Sequence, residues 1–112
     1  TVGISGDAVA ANGLTAGCDA WYSVIGGVFP ATALAITRAA TAGHAQQAIR
    51  LSERLQPLWE LFRESGGSLR VVAAAAELQG VVKHPCLPLP LKSLSGEGHR
   101  RLAKLIDELD LS

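Results

Sequence analysis

One stretch constrains this chain more than any other: Gly17-Cys18-Asp19-Ala20-Trp21-Tyr22-Ser23-Val24-Ile25-Gly26-Gly27-Val28-Phe29-Pro30. It holds one of the two tryptophans, the only tyrosine, one of the two phenylalanines and one of the two cysteines. Ala20 to Ile25 is rich in aromatic and β-branched residues, which predicts a strand. Gly26 and Gly27 end it, and the fixed φ of Pro30 suits the first turn of a helix. A strand that passes through a glycine turn into a helix is half of a βαβ unit, and such strands bind ligands at their carboxyl ends. Here that end is Tyr22 to Gly27. Trp21 and Tyr22, as neighbours on a strand, are expected on opposite faces.

The rest of the chain offers this strand few partners. Val2 to Ser5 is a short β-like run, turned by Gly6-Asp7. Asp7 is read as the cap of a helix over about Ala8 to Ala16, which Gly17 closes. Gly13 in the middle of that helix is unfavourable by about 1 kcal/mol relative to alanine. Residues 1–25 therefore read β-α-β, with the two strands as parallel neighbours across one crossover helix.

Everything further on reads as helix or arm. Pro30 to Ala42 is alanine-rich and is stopped by Gly43. From Ala45 to Glu64, Ala48, Leu51, Leu55, Leu58 and Phe62 recur at helical spacing, and Trp59 widens the stripe. Pro57 predicts a kink there, because it has no N–H to donate. Ser68 is the expected cap of a helix over Leu69 to Gln79, stopped by Gly80. Pro85, Pro88 and Pro90 force an extended arm over 81–94, with Leu87, Leu89 and Leu91 on one side, read as strapped onto the fold's own surface. Ser95 then caps a last helix, buried along Leu102, Leu105, Ile106 and Leu109.

Composition narrows the function classes. Apolar residues are 48% of the 112, charged residues only 18%, and ten basic side chains balance ten acidic ones. So apolar a composition implies that something else covers part of the apolar surface. No basic cluster exists for a nucleic acid to meet, and no apolar run approaches the ~20 residues of a membrane span. Cys18 and Cys86 form no CxxC pair and read as reduced thiols of a cytoplasmic protein. Neither a metal nor a cofactor site is expected. The chain begins abruptly on a strand and is read as a portion of something longer.

Chemistry is sparse. A Schiff-base lysine must be desolvated, whereas Lys83, Lys92 and Lys104 lie in the arm or on a polar helix face. His44, His84 and His99 are scattered and form no triad by spacing. No catalytic residue is assigned.

Three segments together carry a resemblance. Val2-Gly3-Ile4-Ser5-Gly6-Asp7 is similar to the seventh strand of the dihydrodipicolinate synthase and N-acetylneuraminate lyase family. Ala16-Gly17-Cys18-Asp19-Ala20-Trp21-Tyr22-Ser23-Val24 resembles that family's eighth strand, and Leu87-Pro88-Leu89-Pro90-Leu91 with the last helix resembles its tail. The resemblance implies an α/β fold that is mostly helical within this chain. It would be the C-terminal portion, the last two βα units, of a (β/α)8 TIM barrel (residues 1–43), followed by a C-terminal helical domain (44–112) with the arm at 81–94. It implies a class I aldolase-type lyase or synthase that joins or cleaves pyruvate, or another 2-oxo acid, and an aldehyde through a lysine Schiff base. The family's lysine and tyrosine lie on earlier strands, so this chain alone is expected to be inactive. Ser5, Gly6, Tyr22 and Ser23 carry over as substrate-binding residues, largely through backbone. The implied partners are the remaining barrel strands, the 2-oxo acid and further copies in a homotetramer, with no nucleic acid and no membrane. Ala8 stands where many members have a second acid, and Gly66 to Arg70 replaces an Asn-Pro-rich turn. The competing reading is a non-enzymatic helical module that dimerises through the Ala45–Glu64 stripe.

Overall fold

A computed structural model describes residues 1–112. Two short strands and six helices follow in the order β1 (Gly3–Ser5), α1 (Ala10–Thr15), β2 (Ala20–Tyr22), α2 (Pro30–Thr41), α3 (Ala45–Arg54), α4 (Gln56–Glu64), α5 (Leu69–Leu78) and α6 (Gly96–Glu108). Two compact units divide the chain: Thr1–Gln56 with Ser112, and Pro57–Leu111. None of the helices is long and apolar enough to cross a membrane.

In the first unit β1 and β2 lie parallel, with Gly3 opposite Ala20, Ile4 opposite Trp21 and Ser5 opposite Tyr22. The single crossover helix α1 enforces that direction. Gly17 ends α1 as its composition demands: at φ 112° it sits in the left-handed region. Its N–H donates to the Leu14 carbonyl and that of Cys18 to the Gly13 carbonyl, the paired bonds of a Schellman motif. The apparent cost of Gly13 also finds its reason. A Cβ there would lie 2.6 Å from Ile4 Cγ1 and 2.7 Å from Ile4 Cβ, so only glycine lets α1 approach β1 so closely.

The second strand is shorter than the composition of Ala20 to Ile25 predicts. It stops at Tyr22, and Ile25–Gly27 forms a 3-10 turn in which Ile25 is fully buried. The β-branched pair Val24-Ile25 thus serves as a turn and its plug rather than as strand. Helix α2 follows, its Pro30 in the first turn and Ala33, Ile36 and Ala39 on its buried face. Helix α2 packs on α3, and α1 packs on both; small alanines at the contacts allow it. Thr32 N–H, one of α2's N-terminal donors, is satisfied by the Ser112 carbonyl at 2.8 Å, and Ser112 N–H returns a bond to Thr32 Oγ1 at 3.1 Å.

The expected kinked helix over Ala45–Glu64 is instead two helices, with buried Leu55 between them. Pro57 is the cause. It has no N–H for a helical bond to Glu53, and it is tolerated at the start of a new helix, where that donor would be free anyway. Ala48 and Leu55 are buried in the first unit, and Leu58 and Trp59 in the second.

The second unit is all helix and arm. Leu58, Leu61, Val71, Ala74, Ala75 and Leu102 are at most 1% exposed and form its centre. The edge of Phe62 meets the Trp59 ring, with centroids 5.6 Å apart at 63°. Ser68 and Ser95 stand at the N-cap positions of α5 and α6, but neither hydroxyl makes the capping bond. Residues 81–94 carry no helix or strand. Two of the arm's leucines do not hold it down: Leu89 is 81% exposed and Leu91 44%. Its polar atoms, half-buried Leu87 and buried Leu94 do that.

Candidate functional site

The carboxyl ends of β1 and β2 meet in one place, and Asp7 organises it. Gly6, at φ 97°, turns the chain out of β1 in a conformation that other residues resist. Asp7 begins the 3-10 turn Asp7–Val9, yet its side chain caps nothing in the helix that follows. That expectation is corrected. The carboxylate, only 5% exposed, reaches across to β2 and the turn beyond it. Its Oδ1 accepts the Trp21 indole N–H at 3.0 Å and the Val24 N–H at 3.0 Å, and its Oδ2 accepts the Ile25 N–H at 2.8 Å. A buried charge demands such compensation, and three N–H donors supply it without any cation. Asp7 does cap a helical turn, but one 18 residues further on.

The opposite ends of the strands are tied by a second acid. Val2 N–H donates to Asp19 Oδ2 at 2.8 Å, and the Asp19 N–H returns to the Val2 carbonyl at 2.7 Å. With both ends fastened, the register of a three-residue ladder is fixed.

Around Asp7 stand the four residues singled out from the sequence. Ser5 and Tyr22 are register partners at the ends of their strands, and both are exposed. Gly6 follows Ser5 directly, so its backbone faces the same end. Ser23 Oγ accepts the Gly26 N–H at 2.9 Å, which closes the glycine turn and leaves the hydroxyl hydrogen to donate elsewhere. Tyr22 is 66% exposed and its ring lies over Gly3, where a Cβ would come within 2.3 Å of Cε2. Trp21 is half-buried against Asp7, so the two aromatics part as strand alternation requires. Asp7 and Trp21 were missed as a pair. A signal existed: an indole N–H on a half-buried strand needs an acceptor, and the β-α-β segment has only two acids.

The lysines and histidines lie apart from these strand ends in sequence and in role. Lys83, Lys92 and Lys104 are exposed. Lys104 pairs with Glu108 at 3.5 Å, a solvated i,i+4 pair. His44 precedes α3 without capping it through its side chain, and His99 lies on α6. His84 bonds through Nδ1 to Glu77 of α5, a residue that sequence reasoning did not single out. Both cysteines are free and half-buried.

A parallel strand pair joined through a helix, with its carboxyl ends locked by a buried acid, places the first unit in the α/β class. The sequence profile of the Dihydrodipicolinate synthetase family matches residues 2–109, and the chain belongs to that family. Among solved structures it is similar to dihydrodipicolinate synthase from Agrobacterium tumefaciens, at 40% identity and TM-score 0.87, over 96% of this chain and 35% of that one. The dihydrodipicolinate synthase of Aquifex aeolicus shares the fold at 21% identity and TM-score 0.82, over 96% of this chain and 36% of that one. So does a variant of the Sulfolobus solfataricus 2-keto-3-deoxygluconate aldolase, at 18% identity and TM-score 0.76, with the same coverage of 96% and 36%. The chain spans about a third of the length of the structures it matches. No curated protein matches it.

Proposed function

We propose that these 112 residues are the last two βα units of a (β/α)8 barrel and its helical tail, in a lyase or synthase acting on pyruvate or another 2-oxo acid and an aldehyde. The barrel portion is assigned to residues 1–43 and the tail to 44–112. The observation that carries the reading is the Asp7-locked parallel pair. Parallel strands occur in sheets covered on both faces, and each strand here has one unpaired edge. Val2 (63% exposed), Val24 (41%) and Tyr22 (66%) lie at or beside the two strands, as they would where further strands and a substrate belong. A barrel takes roughly 250 residues, so about six more strands would come from polypeptide outside this stretch.

In this reading Ser5, Gly6, Tyr22 and Ser23 form part of the wall around the 2-oxo acid. Backbone N–H groups and the Ser23 hydroxyl donate to its carboxylate, and the Tyr22 ring flanks the carbon that reacts. The lysine that forms the Schiff base, and the tyrosine that moves protons, stand on the absent strands. The assembled enzyme is soluble, cytoplasmic and homotetrameric.

Reductive trapping tests this. The chain alone, treated with pyruvate and borohydride, is expected to gain no mass. Mixed with a polypeptide carrying the earlier strands, it is expected to co-elute with it, and the companion's lysine is expected to be trapped as a pyruvyl adduct. A stable adduct on Lys83, Lys92 or Lys104 overturns the assignment. So does a lone chain that dimerises through the Ala45–Glu64 stripe and ignores the companion, since that is the behaviour of a helical interaction module.

A further inference from the structure

The second unit contains a cluster that the aldolase chemistry does not use. Glu77, near the end of α5, is the common acceptor for three groups of the 81–94 arm. Cys86 Sγ–H donates to Glu77 Oε1 at 3.1 Å, His84 Nδ1 bonds Oε2, and the Ser93 hydroxyl is a third partner. The Glu77 side chain is 9% exposed, whereas that of His84 is 72% exposed. The contact therefore reaches from solvent into a nearly closed acceptor. Beside it lies a shallow groove lined by Glu77, Leu78, His84, Leu94, Ser95 and His99.

Much of the arm's apolar surface stays in solvent: Val81, Leu89 and Leu91 are exposed, at 72%, 81% and 44%, whereas Leu87 is half-buried and only Leu94 is buried. Cys86 Sγ has a second, longer contact to the Ala73 carbonyl at 3.7 Å. At its far end Arg70 Nε donates to the Lys92 carbonyl at 2.9 Å, and the Leu94 N–H donates to the Arg70 carbonyl at 3.3 Å. The arm is thus fixed near residues 92–94 by the start of α5, and over 84–86 by Glu77.

We propose that Glu77 is a latch: ionised, it clamps the 81–94 arm to α5, and neutralised, it releases the arm's middle and unmasks the Cys86 thiol. The electrostatics agree with the geometry. The Ser93 bond, with those of Cys86 and His84, holds the Glu77 carboxyl below its ordinary value against an opposing effect of burial. The bond to Glu77, then burial, pushes the Cys86 thiol above its ordinary value. The titratable groups around the carboxylate are His84 and Cys86 from the arm and His99 from α6 across the groove. Because its folded value is depressed, the latch contributes fully above the ordinary carboxylate pKa and is lost as pH falls through the lowered one.

The test compares alkylation of Cys86 by iodoacetamide with that of Cys18 in the same molecule, using the full chain. Expected at neutral to mildly basic pH is a Cys86 rate several-fold below that of Cys18 in the wild type, because the bond to Glu77 and burial disfavour the Cys86 thiolate, the form that reacts. Glu77→Gln is expected to bring the two rates together and to speed tryptic cleavage after Lys83, with helix content by circular dichroism unchanged. His84→Ala, which alters only an exposed partner, is expected to raise the Cys86 rate by a smaller factor. Cleavage after Lys83 in the wild type is expected to accelerate on acidification to a pH below the ordinary carboxylate value, read with an acid-tolerant protease of matched specificity. Equal rates in the wild type, or a Cys86 rate unmoved by both substitutions, overturns the latch. These outcomes do not depend on barrel assembly or on pyruvate.

Discussion

Asp7→Ala is expected to destabilise the first unit by about 3–5 kcal/mol, since each bond to a charged acceptor contributes ~1.5–3 kcal/mol and buried donors are left without partners. The loss falls short of three full bonds because water can enter the emptied space. The Trp21 indole and the Val24 and Ile25 N–H groups all lose their acceptor at once. Asp7→Asn is nearly isosteric, yet it should recover only part. One end of an amide can accept, but its NH2 end must then face an N–H, donor against donor. If the amide oxygen keeps the place of Oδ1, the Ile25 N–H meets the NH2 group, and the turn that begins at Ile25 loosens. Urea unfolding followed by tryptophan emission measures both, with Trp21 shifting to the red in the alanine variant. A loss below about 1 kcal/mol for Asp7→Ala, no more than an ordinary neutral hydrogen bond, would show that the carboxylate does not hold the strand ends together.

The second large effect is steric and runs against local propensity. In an isolated helix Gly13→Ala would be favourable by about 1 kcal/mol. Here the new methyl would fall 2.6–3.0 Å from three carbons of Ile4, whose β-branched side chain has few rotamers through which to retreat. Overpacking of this kind costs about 1–3 kcal/mol, so a net loss of up to about 2 kcal/mol is expected as α1 is pushed off β1. The diagnostic is the double substitution. In an Ile4→Ala background the same Gly13→Ala change should cost clearly less, because Cγ1 and Cγ2 are gone and only Cβ, at 2.7 Å, remains in the way. A denaturation midpoint that falls equally in both backgrounds would place the cost elsewhere than the helix–strand contact.

These two positions mark where sequence reading stops. The β-α-β start, the parallel sense of its strands, the glycine stop at Gly17 and the helix begun by Pro30 all follow from periodicity and turn chemistry within a few residues. The turn Gly66 to Arg70 departs in sequence from a family pattern, and the structure gives its Arg70 a partner in the arm. Asp7 was visible only as a residue that caps helices. Its partners lie 14 to 18 residues away, and nothing local names them. Pro57 predicted a kink, and the structure shows a break at Leu55 instead. The alternation of leucine and proline in the arm implied an apolar side facing inward, yet Leu89 faces solvent.

The sequence by itself therefore determined the order of strand, helix and arm along the chain, though not where β2 stops or that Ala45–Glu64 divides into two helices. It did so because φ preferences, missing donors and apolar spacing are properties of neighbouring residues. Only the tertiary structure decided where the polar side chains go: Asp7 to the turn after β2, Asp19 to the start of β1, and Glu77 to three donors of the arm. A carboxylate removed from water takes whatever donors the fold brings to it, and those donors are chosen by packing across the chain rather than by position along it.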